Sequence, residues 1–149
     1  MSHVAIVGAG PAGACLAHVL AKRGVEVTLL ERQRDFEREF RGEILMPSGV
    51  EALKQAGLGE VLSATPSHHL RDLEIFLNGK LRLRQSIAAA SPDGAGFLAV
   101  SQSALLESLV GETGKSPSFR LERGATVKGL LVEDGRVVGV QAAIDDDDR

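Results

Sequence analysis

One cysteine, Cys15, is all that the 149 residues contain, so no internal disulfide can hold the chain. That usage fits a reducing compartment. Cys15 sits among Ala12, Leu16, Val19 and Leu20, where a small packing residue is expected rather than a redox thiol. Positive charge is not in excess: 17 Lys and Arg against 20 Asp and Glu leave a net charge of −3. This excludes the basic footprint that nucleic acid or an anionic lipid surface requires. No apolar run has the uninterrupted length of a membrane span. The first 21 residues are rich in apolar side chains, but glycines and Pro11 interrupt them and Lys22-Arg23 follows them, the wrong order for a secretion signal. The expectation is a cytoplasmic protein with no nucleic-acid or membrane partner. There is no internal repeat and no low-complexity tract before the terminal Asp145-Asp146-Asp147-Asp148. With 44% hydrophobic and 25% charged residues, the chain has ordinary globular usage and can bury one sizeable core.

Against these absences stands Val4-Ala5-Ile6-Val7-Gly8-Ala9-Gly10-Pro11-Ala12-Gly13, answered by Val25-Glu26-Val27-Thr28-Leu29-Leu30 and Glu31-Arg32. The order is strand, glycine turn, helix, strand, acidic residue, which is what holding the ADP half of a dinucleotide needs. Gly8 can adopt the backbone conformation of a tight turn. Gly10 lets a pyrophosphate approach the main chain, and Gly13 lets helix and strand pack closely. The phosphates would rest on N–H groups at the positive end of the helix. Glu31, eighteen residues beyond Gly13, can accept hydrogen bonds from both ribose hydroxyls.

Pro11 suits the first turn of a helix running to about Arg23, with Gly24 ending it and residues 12, 16, 19 and 20 forming the stripe against a sheet. A charged connection, 32–41, leads to Arg41-Gly42-Glu43-Ile44-Leu45-Met46-Pro47-Ser48-Gly49 and a helix carrying Val50, Leu53, Ala56 and Leu58. Alternation begins near Leu70. Leu73, Ile75 and Leu77, then Leu81 and Leu83, flank Asn78-Gly79 and predict a hairpin. Residues 88–96 read as a loop. Residues 100–112 read as a strand end running into a helix that buries Leu105, Leu106, Leu109 and Val110. Strands over 126–132 and 137–142 are joined at Asp134-Gly135. His68-His69 would point to opposite sides of an extended segment with no third ligand nearby, so no metal site is assigned.

The segments VAIVGAGPAGACLAHVLAKRGVEVTLLER, RGEILMPSG and VSQSALLESL resemble the N-terminal part of the FAD-dependent aromatic-ring hydroxylases, the p-hydroxybenzoate hydroxylase-like flavoprotein monooxygenases. The resemblance implies an α/β fold: a Rossmann-like FAD-binding βαβ unit with an inserted β-hairpin and a small antiparallel β-meander. It implies FAD as cofactor, with Gly8, Gly10, Pro11, Ala12 and Gly13 lining the pyrophosphate, Glu31 on the adenosine ribose and Arg32 beside the adenine. Arg41 would reach the pyrophosphate or ribityl chain, where a guanidinium suits phosphate oxygens. Gln102 would lie near the ribityl and phosphate. In such enzymes NAD(P)H reduces the flavin, and O2 then serves to hydroxylate a small organic substrate.

Members of that family are more than twice as long and carry a later Asp-Gly motif followed by Ser and Arg, then a Gly-Asp motif. Asp134-Gly135 is followed instead by Arg136-Val137-Val138, as a hairpin turn would be. The chain is therefore expected to be an N-terminal, truncated portion. Residues 1–66 and 97–149 would form an incomplete FAD domain, and 67–96 would begin a substrate-domain sheet. Phe76 and Leu83 are candidates to face the substrate. No side chain is assigned as a catalytic acid, base or nucleophile. Two other readings remain open: an inactive module that binds FAD or ADP, and an assembly-dependent fragment whose open sheet edge pairs with another chain as a homo-oligomer.

Overall fold

The structure is a computed structural model that describes residues 3–37, 44–90 and 96–144. Arg41 and the terminal aspartates lie outside the described residues. The elements run β1 (His3–Val7), α1 (Pro11–Ala21), β2 (Glu26–Glu31), β3 (Ile44–Leu45), α2 (Pro47–Gln55) and α3 (Gly59–Ala64). They continue with β4 (Ser67–Leu70), β5 (Asp72–Leu77), β6 (Lys80–Ser86), β7 (Phe97–Val100) and α4 (Gln102–Thr113). β8 (Phe119–Arg123), β9 (Ala125–Glu133) and β10 (Arg136–Ile144) complete the order. Two compact units result, Met1–Arg38 with Leu106–Arg149, and Glu39–Leu105.

The first unit is built on a parallel sheet in the order β1-β2-β8. Its registers run from His3↔Glu26 to Val7↔Leu30 and from Val27↔Phe119 to Glu31↔Arg123. Val27 and Leu29 are buried in its core with Leu106 and Leu109 of α4. α1 packs against β1 and β2, but not with the stripe expected from its larger side chains. Ala14, Ala17, His18 and Ala21 are the buried positions, whereas Ala12 is exposed and Leu16 is 49% exposed. The cause is close approach at the glycine turn. A Cβ on Gly13 would lie 2.0 Å from the Gly8 carbonyl oxygen, so the helix turns its small residues toward the sheet. Cys15 is half-buried, and burial pushes its thiol above its ordinary pKa.

β9 and β10 form an antiparallel ribbon turning at Asp134 (φ 48°) and Gly135 (φ 75°), the positive-φ pair of a tight hairpin turn. The meander is thus two-stranded. β8, for which the sequence pattern predicts no element, joins β2 instead; its FRLER run alternates Phe119 and Leu121 with charges, but over five residues that is too short to announce a strand.

In the second unit β7 pairs antiparallel with both β3 and β4. α2 starts with Pro47 in its first turn, and α3 is a separate short helix beyond the glycine break at Gly57 (φ 82°). β5 and β6 make the hairpin predicted at Asn78-Gly79, with φ 51° and 72° there. Every residue of the two strands is exposed.

Candidate dinucleotide site

At the end of β1, Gly8 takes φ +95° and its N–H donates to the Leu30 carbonyl at 2.7 Å, which aligns the turn with the end of β2. Gly10 is the N-cap of α1, and the first helical bond runs from the Ala14 N–H to the Gly10 carbonyl at 2.9 Å. Pro11 has no N–H, so the amides of Ala12 and Gly13 are the donors left without an intrahelical acceptor. Gly10 offers no side chain to cap them, and the first turn holds no acidic residue. The electropositive end of α1 is therefore open to an anion.

The three glycines are there for different reasons. Gly8 needs its positive φ, and Gly13 needs its missing Cβ. Gly10 has φ −68°, a conformation open to any residue, and a Cβ there would meet nothing within 4 Å. Nothing within the described protein therefore calls for glycine at position 10. An anion seated on the Ala12 and Gly13 amides would use the space, so the turn fits the pyrophosphate of a dinucleotide.

Glu31, 6% exposed, closes β2 with its carboxylate folded toward the turn. Its Oε2 accepts from the Ala9 N–H at 2.8 Å and its Oε1 from the Gln33 N–H at 2.9 Å. Ala9 is fully buried, so Glu31 also works as a structural residue that ties the turn to the strand beside it. Arg32 is exposed and opens a bent segment over 32–36.

That segment is anchored by a residue that the sequence pattern does not single out. Arg123, at the end of β8, forms a two-pronged pair with Glu107 at 2.8 and 2.7 Å and donates to the Arg34 carbonyl at 3.2 Å. Its guanidinium lies 4.7 Å from the centroid of the Phe36 ring, and Phe36 is 2% exposed. The hydrogen bond from Arg123 holds the Glu107 carboxyl below its ordinary range, and the same bond holds Arg123 above its own. Only its register opposite Glu31 could have signalled Arg123, and that register is invisible until β8 is recognised. Gln102 is the first residue of α4, as expected, and belongs to the second unit. Arg41 is outside the described residues. No helix among the described residues is long and apolar enough to cross a membrane.

A parallel βαβ unit with a GAGPAG turn and an acid at the end of its second strand defines a protein of the dinucleotide-binding class. The chain belongs to the FAD binding domain family, whose pattern matches residues 1–148, and FAD is its cofactor. The 6-methylpretetramide 4-monooxygenase of Streptomyces rimosus is 33% identical over 137 residues, covering 92% of this chain and 33% of that protein. Squalene epoxidase 4 of Arabidopsis thaliana is 34% identical over 143 residues, covering 92% and 27%. The crystal structure of Pseudomonas aeruginosa PqsL in complex with 2-aminobenzoylacetate shares the fold, with a TM-score of 0.79 at 20% identity over 95% of this chain and 39% of that one. The chain thus spans about a third of the length of these relatives.

Proposed function

We propose that this chain is the FAD-binding portion of a flavin-dependent monooxygenase that uses NAD(P)H and O2 to hydroxylate a small organic substrate. The observation that carries the binding site is Gly10, whose missing side chain serves no described contact in the protein and leaves room at the open end of α1. Gly8, Gly10, Pro11, Ala12 and Gly13 hold the pyrophosphate, Glu31 holds the adenosine ribose and Arg32 flanks the adenine. Arg41 and Gln102 serve the ribityl and phosphate portion. The bound flavin supplies the electron transfer and the reaction with O2, while the protein binds and orients it. Residues 1–66 and 97–149 form the cofactor part and 67–96 the beginning of the substrate part, with Phe76 and Leu83 toward the substrate.

A second reading is favoured by one observation. The turn, Glu31 and Arg32 all belong to the first unit, so the ADP end of the cofactor can be gripped without any other part of the protein. In that reading the 149 residues alone bind FAD or ADP and turn nothing over. β1 lies at the edge of its sheet with Val7 59% exposed, which offers a second copy a strand to pair with.

Titration of FAD and of ADP into the purified chain, followed by flavin fluorescence and calorimetric heat, separates the readings. FAD binding much tighter than ADP, with a perturbed flavin spectrum and NAD(P)H oxidation, supports the monooxygenase. Equal affinity for ADP and FAD with no NAD(P)H oxidation supports a binding module. Binding of neither overturns the site.

A further inference from the structure

We propose that Arg123 is a positioning residue for the adenosine end of the site, acting through the 33–36 bend on the Glu31 carboxylate. This rests on the reading of the glycine turn and Glu31 as the grip on an adenosine diphosphate. Residues 32–36 lie in neither helix nor strand and Arg32, Gln33, Arg34 and Asp35 are exposed; within the segment Asp35 Oδ1 accepts from the Glu37 N–H at 3.0 Å, a bond that shapes its far end but does not reach Gln33. Yet it must deliver the Gln33 N–H to Glu31 Oε1 at 2.9 Å.

β8 and the residue after it supply the missing constraint at three points. The Gly124 N–H points to the Gln33 carbonyl at 3.5 Å, the Arg123 guanidinium donates to the Arg34 carbonyl at 3.2 Å, and its Cζ lies over the buried Phe36 ring. Glu107 on α4 in turn fixes the guanidinium through both of its terminal nitrogens. The relay therefore runs from Glu107 to Arg123, to the 33–36 bend and to Glu31 Oε1, while the other carboxylate oxygen, Oε2, keeps its own bond from the Ala9 amide of the glycine turn. Glu31 and Arg123 are register partners on neighbouring strands, so the relay is short. Arginine is the residue that this position requires. A planar fork can meet a carboxylate with two bonds, reach a carbonyl and lie over a ring at once; an ammonium cannot.

The consequence is selective. Disturbing Arg123 loosens the carboxylate that reads the ribose hydroxyls while leaving the amides of Ala12 and Gly13 in place for the diphosphate. The test uses the full chain with two probes, ADP and 2′,3′-dideoxy-ADP, titrated by calorimetry into the unmodified chain and into Arg123→Lys, Arg123→Ala, Glu107→Gln and Glu31→Ala. The unmodified chain should prefer ADP by about tenfold, the worth of a charged hydrogen-bond acceptor, and Glu31→Ala should abolish that preference. Arg123→Lys should lose most of it with dideoxy-ADP affinity unchanged within about twofold, and combining it with Glu31→Ala should cost nothing more. Should Arg123→Ala fail to fold, Arg123→Lys and Glu107→Gln still carry the test. Full retention of the preference in Arg123→Lys, with its loss in Glu31→Ala, overturns the proposal. Equal weakening of both probes also overturns it, because that is the signature of a purely structural residue. A preference that is absent, or untouched by Glu31→Ala, would instead overturn the reading of Glu31 on which the proposal stands.

Discussion

Gly10 and Gly13 are three positions apart and chemically identical, yet the fold asks opposite things of them. At Gly13 a Cβ would sit 2.0 Å from the Gly8 carbonyl oxygen, a backbone atom that cannot step aside. Gly13→Ala should therefore lower unfolding stability by roughly 1–3 kcal/mol, the usual cost of overpacking, as measured by urea denaturation. Glu31 is the other residue on which the turn depends. Glu31→Ala removes the acceptor of the buried Ala9 N–H, and the stranded donor should cost about 1–3 kcal/mol in the same measurement, with no ligand present. The turn and its acid were legible in the sequence because their chemistry is local: a glycine spacing, a strand and a carboxylate at its end. Arg123 was not legible, because it meets Arg34 across 89 positions of chain, and nothing near it in sequence hints at Phe36. Sequence spacing also hid the bonds that Glu31 makes, since the expected partners were ribose hydroxyls rather than the Ala9 and Gln33 amides.

At the level of elements, α1 and α4 are joined by a buried polar contact. His18 Nδ1 lies 3.1 Å from Thr113 Oγ1, whose own proton goes to the Leu109 carbonyl at 2.7 Å. The threonine oxygen therefore accepts from an Nδ1–H, and the bare Nε2 is buried with no hydrogen-bond partner among the described residues. Burial, and then the Lys22 charge, push the His18 pKa below its ordinary 6.5, opposed by Glu112. The unfolded chain consequently takes up the proton first as pH falls. Stability should drop below about pH 6.5, and the loss should stop once the folded imidazole itself titrates. Denaturant midpoints between about pH 7.5 and 5 should show this slope, and His18→Gln should flatten it. Thr113→Val, which leaves the Nδ1–H without its acceptor, should destabilise by about 1–3 kcal/mol at neutral pH. The elements themselves were legible in the sequence where a turn signal or a long period was present: the hairpins at Asn78-Gly79 and Asp134-Gly135, and the Leu105, Leu106, Leu109, Val110 face of α4. Pattern failed where close packing outranked size, as on α1, and where an element was short or charged, as with α3 and β8.

On the scale of the molecule, the residues of the proposed cofactor grip form a compact set while much apolar side-chain surface lies elsewhere. In the hairpin of the second unit Phe76 is 57% and Leu83 42% exposed. Along the β9–β10 ribbon of the first unit Leu130 is 63% and Val137 61% exposed. Apolar side chains exposed together along a hairpin can serve as a contact surface. An apolar dye should bind the chain, and Phe76→Ser with Leu83→Ser should reduce the fluorescence without changing ADP affinity, because neither residue belongs to the unit that holds the turn. The most direct measurement is calorimetric titration of ADP into the unmodified chain and into Gly10→Val, each with its thermal midpoint. A Cβ at position 10 meets no described atom within 4 Å, so the variant should keep its fold, with its midpoint lowered only modestly by the loss of a glycine N-cap. On the proposed placement of the pyrophosphate, its added side chain should nevertheless fill the space at the open end of α1 and abolish ADP binding. Unchanged ADP affinity in a folded Gly10→Val chain would contradict the placement of the cofactor at this turn.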